Sequence, residues 1–139
     1  MDFEKLLEEH KIERVETTEL NFDSVKKDIK FSEKGMETKN YDRVMVVVYE
    51  AVLKAGSKLM NSLGYRAIGK EHHKNVFEFL AQCIIDQELT AFFDTIRKKR
   101  NDFMYRDVQC ISKEEAEQII NKAKLFVRKM RTFVRKMRT

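Results

Sequence analysis

The stretch from Asn40 to Leu63 constrains the fold more than any other part of the chain. Tyr41, Val44, Met45, Val48, Val52, Ala55, Leu59 and Leu63 recur at the three- and four-residue spacing of one helical face. Val46, Val47, Ala51 and Met60 lie off that face, yet they are apolar too. A helix apolar over so much of its circumference is buried on more than one side. Two arrangements meet that demand. Other helices of one bundle surround it, or one of its sides is given to a subunit interface.

The flanking sequence is also helical in character. With no proline and only four glycines in 139 residues, the chain has few breakers, so long helices joined by short loops are expected. Residues 2–10 form a short helical pattern with Phe3, Leu6 and Leu7 inward, and residues 11–20 read as a polar connection. Asn21 or Asp23 caps a helix carrying Phe22, Val25 and Ile29, with Gly35 near its end. After Leu63, the segment Gly64–Lys70 reads as a glycine-bounded linker. His72 and His73 then open a helix with Val76, Phe77, Leu80, Ile84 and Ile85 inward. Asp86-Gln87-Glu88 starts the next helix, placing acidic residues at its positive end. Residues 107–111 read as a loop. Ser112-Lys113-Glu114-Glu115 is a capping box that launches a final helix, with a stripe of Ala116, Ile119, Ile120, Ala123, Phe126, Val127 and Met130. Strand alternation is convincing nowhere. The expectation is an all-α, up-and-down bundle of about five to six helices, forming one domain over residues 1–132.

The sequence FVRKMRT occupies 126–132 and recurs unchanged at 133–139. The second copy continues the apolar stripe through Phe133, Val134 and Met137, so 133–139 is expected to extend the last helix past the domain. It also weights the charge. Residues 1–96 carry 14 basic and 18 acidic side chains, whereas 97–139 carry 14 basic and 5 acidic. One copy fewer would lower the net charge from +5 to +2, so bulk charge is a weak argument for nucleic acid and local clusters carry more weight.

Several classes of function are disfavoured. The N-terminus, MDFEKLLEEH, does not resemble a signal peptide, and no apolar run approaches the roughly 18 residues of a membrane span. Cys83 and Cys110 are isolated thiols of a reduced compartment, Cys83 in the core. A cytoplasmic protein without membrane association is the expectation. Adjacent helical residues point about 100° apart, so His72 and His73 do not converge on one metal. With only His10 elsewhere, no metal site and no cofactor are expected.

The local cluster that stands out is Arg97-Lys98-Lys99-Arg100-Asn101-Asp102-Phe103-Met104-Tyr105-Arg106. On this helix Leu89, Phe92, Ile96 and Phe103 form the core stripe, and Arg97, Asn101 and Tyr105 stack at i, i+4 and i+8 beside it. Guanidinium forks, an amide and a phenol on one edge suit a phosphate or an RNA backbone. The same residues also suit a solvated basic face complementing the helix dipole.

Taken in order, several of these segments resemble the HEPN domains (higher eukaryotes and prokaryotes nucleotide-binding), in particular small prokaryotic and archaeal stand-alone members. Asn40-Tyr41-Asp42 opens an apolar core helix ending at Leu63-Gly64-Tyr65-Arg66, and Gly69-Lys70-Glu71-His72-His73 leads into Val76-Phe77-Glu78-Phe79-Leu80. Arg97-Lys98-Lys99-Arg100-Asn101 and Ser112-Lys113-Glu114-Glu115-Ala116 follow, so the likeness spans roughly residues 11–131. It implies a helical bundle that usually dimerises. The family's catalytic signature is Arg, usually a polar residue next, then His after four to six intervening positions. Arg100 and Asn101 match the first two places, and Tyr105 stands in the place of the His. In active members the motifs meet across a dimer and cleave RNA without a metal, the ribose 2′-hydroxyl serving as nucleophile. Tyrosine in this place is similar to a recognised subset of the family.

The departure matters chemically. Histidine titrates near 6.5 and tyrosine near 10, so Tyr105 needs a shift of roughly three units, about 4 kcal/mol, to act as a base at neutral pH. Three readings stand side by side. The first is a homodimer that binds RNA or nucleotide through Arg97, Arg100, Asn101, Tyr105 and Arg106. By resemblance it is the HEPN half of a toxin–antitoxin pair with a minimal nucleotidyltransferase, to which Tyr105 offers a hydroxyl. The second is a metal-independent endoribonuclease in which Arg100, Asn101 and Tyr105 are catalytic. The third is a structural dimerisation module knitted by Arg100 and Asn101.

Overall fold

The computed structural model describes residues 2–106, with the backbone alone at Arg106, and 111–137. Its elements are α1 (Glu4–Glu8), β1 (Ile12–Arg14), α2 (Asp23–Gly35), α3 (Tyr41–Ser62), β2 (Tyr65–Ala67), α4 (His72–Cys83), α5 (Gln87–Arg106) and α6 (Lys113–Met137). The architecture is all-α, with six helices among the described residues. The loop expected at 107–111 lies, except for Ile111, outside the described residues, as do Cys110 and the side chain of Arg106.

α3 is the axis. It packs against α2, α4, α5, α6 and β2, which accounts for its excess of apolar positions. Val46, Ala51 and Met60, off the main stripe, are buried within this one chain. Its apolar character therefore needs no subunit interface. Gly56 lets α4 come close, because a Cβ there would stand 2.7 Å from Val76 Cγ1.

Polar side chains serve backbone N–H groups near several helix starts. The Asn21 side chain accepts the Asp23 N–H at 2.8 Å, and Asp86 accepts the Leu89 N–H at 2.9 Å. Ser112 Oγ accepts the Glu115 N–H at 3.1 Å, the bond that the expected box places there. Asp42, at the start of α3, instead reaches across the bundle to accept the Ile111 N–H at 3.0 Å. That bond ties the start of α6 to the start of α3.

Four details differ from expectation. The supposed connection and linker contain a short antiparallel ribbon, with Ile12 opposite Ala67 and Arg14 opposite Tyr65. Three-residue strands are too short to show alternation, so the pattern was silent there. α4 ends at Cys83, and Ile84 takes a left-handed conformation that turns its side chain outward, 67% exposed. In α5 the residue filling the core is Phe93, while Phe92 is half-buried. In α6 the repeated heptad packs back onto the bundle. Val134 is buried and Phe133 rests against the core, while Arg135, Lys136 and Met137 are exposed. No helix among the described residues is long and apolar enough to cross a membrane.

Candidate functional site

Because the core stripe of α5 fixes its rotation, Arg97 and Arg100 are set half-buried along the groove toward α3. Arg97 Nε donates to Asp94 Oδ1 at 2.9 Å, one turn earlier on the same helix. Arg100, 18% exposed at its side chain, donates from Nη2 to Glu50 Oε1 of α3 at 3.2 Å. A longer contact of 3.5 Å links Nη1 to Asn101 Oδ1. The guanidinium carbon lies 5.9 Å from the centroid of the Tyr49 ring.

Tyr49 is the floor of this cluster. It is fully buried, stacked on Phe77 at 6.1 Å and tilted against His73 of α4 at 6.4 Å. Burial pushes its phenol up to about 12, against the opposing pull of Arg97 and Arg100. Burial also lowers the His73 imidazole below 6.5, helped by repulsion from His72 and Arg100, so His73 is neutral at pH 7. Two polar atoms here are enclosed without a hydrogen-bond partner: the Tyr49 hydroxyl and Arg100 Nε. Buried polar groups are overwhelmingly paired, so these two atoms are exceptions to the rule.

The structure brings Arg97, Arg100 and Asn101 together with Asp94 of the same stripe and adds Tyr49, Glu50 and His73. Tyr105 stands apart, 85% exposed, with no hydrogen bond or ring contact to Arg100. The side chain of Arg106 lies outside the described residues. Sequence reasoning missed Tyr49, Glu50 and His73. Tyr49 and Glu50 lie in an apolar helix whose pattern speaks for its core, and His73 lies on a different helix from the Arg–Asn segment. Among the described residues, no group of three or more His, Cys, Asp and Glu side chains is placed to hold a metal ion. The thiol of Cys83 is buried as expected, and that burial pushes it up to about 12.

The structure is thus an all-α bundle that carries Arg100 and Asn101 half-buried on its fifth helix. The HEPN domain family model matches residues 18–133, most of the chain, and this protein belongs to that family. No curated protein sequence matches it. Family membership points to a nucleotide- or RNA-related role or to dimerisation.

Proposed function

We propose that this HEPN protein acts as a homodimer that binds RNA or nucleotide at the Arg100 cluster. The observation that carries the reading is the pair of enclosed, unpartnered polar atoms, Arg100 Nε and the Tyr49 hydroxyl, beside a guanidinium held by one exposed carboxylate. A phosphate arriving at Arg100 replaces Glu50, whose side chain is 54% exposed and free to swing into water. Asn101 orients Arg100 or the phosphate, Arg97 adds positive potential, and the exposed Tyr105 ring stacks on a base. Arg106 belongs to the same edge by sequence. The partner that fits the family resemblance is a minimal nucleotidyltransferase, the two forming a toxin–antitoxin pair in the cytoplasm, with Tyr105 exposed to receive a nucleotidyl group.

A second reading, metal-independent cleavage of RNA, gains from His73. A neutral imidazole in the same cluster accepts the proton of a ribose 2′-hydroxyl as the 2′-oxygen bonds to phosphorus and the P–O5′ bond breaks, water gives a proton to the departing 5′-oxygen, and Arg100 balances the charge building on the phosphoryl oxygens. Tyr105 then need not serve as base.

The test is binding and cleavage of labelled RNA by wild type and Arg100→Ala, with EDTA present. Binding without cleavage, weakened in the variant, supports the binding module. Cleavage that survives EDTA and is lost in Arg100→Ala and His73→Gln supports the nuclease. If both are absent while Arg100→Ala dissociates a dimer, the structural reading takes their place.

A further inference from the structure

A second cationic feature lies elsewhere in the molecule, in a groove of about 400 Å³ between α2 and α6. Lys26 and Lys30, one turn apart, line its α2 side, and Lys124, Arg128 and Arg131 line its α6 side. Glu33 is the one carboxylate in the lining, and it is paired with Lys124 at 2.7 Å. Among the described residues, no carboxylate forms an ion pair with Lys26, Lys30, Arg128 or Arg131, so the groove carries a net positive field.

The α6 cations follow a rule. Lys124, Arg128, Arg131 and Arg135 are spaced i, i+4, i+7 and i+11, which places them within about 60° of arc along roughly 16 Å of helix. Arg131 and Arg135 also line the adjoining hollow beside Glu19 and Leu20, so the stripe continues beyond the main groove. The two FVRKMRT copies build this row, because Arg128 and Arg135 hold the same place in successive heptads.

The chemistry of the groove chooses its occupant. An amphipathic peptide helix needs exposed aliphatic surface to anchor it, and the groove's only two such residues, Ile29 and Val127, are 3% and 4% exposed. The remaining apolar lining is the methylene stems of Lys and Arg, whose heads reach into water. A row of cations in which, among the described residues, Lys124 alone is ion-paired, along a groove with little exposed aliphatic surface, matches a phosphodiester backbone. We propose that the α2–α6 groove is a second RNA contact, which tracks the backbone independently of sequence and of the Arg100 cluster.

Counterion release makes the test quantitative. A labelled 12-nucleotide oligouridylate is titrated with full-length protein over a range of salt, followed by fluorescence anisotropy. The proteins are wild type, Arg100→Ala and the doubly neutralised Lys30→Gln/Arg128→Gln, both of whose changes fall at exposed helical positions. Circular dichroism melts confirm that each is folded. Each phosphate contact contributes about −0.7 to the slope of log affinity against log salt for a single strand. The double variant is expected to flatten the slope by about 1.4 and to weaken binding on the order of twentyfold at 0.1 M salt. Arg135→Gln is expected to remove about a further 0.7.

A double variant with wild-type affinity and slope overturns the proposal, and so does a wild type that does not bind the oligouridylate. Polyglutamate binding to the groove in place of RNA also overturns it and reassigns the surface to an acidic protein. The Arg100→Ala arm separates the two sites. Loss in that variant alone leaves the Arg100 reading standing without the groove, and loss in the double variant alone does the reverse.

Discussion

Replacing Tyr49 with Phe deletes a single atom from the centre of the Arg100 cluster, an oxygen that is enclosed and unpartnered. The ring remains, with its packing on Phe77 and its position beneath the Arg100 guanidinium. A buried hydroxyl that exchanges water for nothing costs about 1–3 kcal/mol, so the variant should be more stable by about 1–2 kcal/mol. In a domain of this size that corresponds to a rise in Tm of roughly 3–8 °C. The checks are thermal melts by far-UV circular dichroism and urea unfolding, where the midpoint should rise with an unchanged m-value. If the hydroxyl is held for a ligand, RNA affinity should move the other way and fall about two- to tenfold, the value of one neutral hydrogen bond. A variant both more stable and weaker in binding is the expected signature. A lowered Tm would refute the reasoning, since it would mean that the hydroxyl makes a bond in the free protein.

His73 should titrate below 6.5 by NMR of its ring proton. A depressed imidazole binds a proton less readily folded than unfolded, so it contributes a loss of stability as pH drops below 6.5 toward its folded value. His73→Gln should remove that part of the decline in urea midpoints, and an identical pH profile for the two proteins would contradict it. Gly56→Ala gains about 1 kcal/mol of helix propensity, but it drives a methyl into Val76, whose branched side chain is stiff in a helix. A net loss of about 1–2 kcal/mol is expected, with Gly56→Ala/Val76→Ala less destabilised than the sum of the singles. Ile84→Gly should stabilise by about 0.5–1 kcal/mol. It relieves a β-branched residue of a left-handed backbone and sacrifices little packing, and a lowered Tm would count against this.

What the sequence made legible was whatever rests on periodicity over several turns. The over-apolar stretch from Asn40 to Leu63 announced a helix buried on more than one side, and α3 is enclosed by four other helices. The stripe of α6 was read correctly through Met130, because 18 residues of amphipathic pattern leave little room for error. Where an element ends proved harder. Ile84 fits a helical stripe in spacing, but the chain leaves the helix at Cys83 and rotates it into solvent. In the candidate site, Arg97, Arg100 and Asn101 were visible because they crowd one segment. Tyr49, Glu50 and His73 were not, since they join the cluster only through the packing of α3 and α4 on α5, which a pattern along one helix does not encode.

The repeated heptad has a consequence for how this helix tolerates change in length. Seven residues advance an α-helix by two turns less about 20°, so a seven-residue insertion leaves every later position nearly in phase with its predecessor. Val134 therefore arrives where a buried residue is wanted, as Val127 does one heptad earlier, and Arg135 points where Arg128 points. An insertion of five residues would rotate the added turns by about 140° and aim those arginines at the bundle. α6 thus behaves as a ruler with seven-residue graduations: it accepts whole graduations at its far end and rejects fractions.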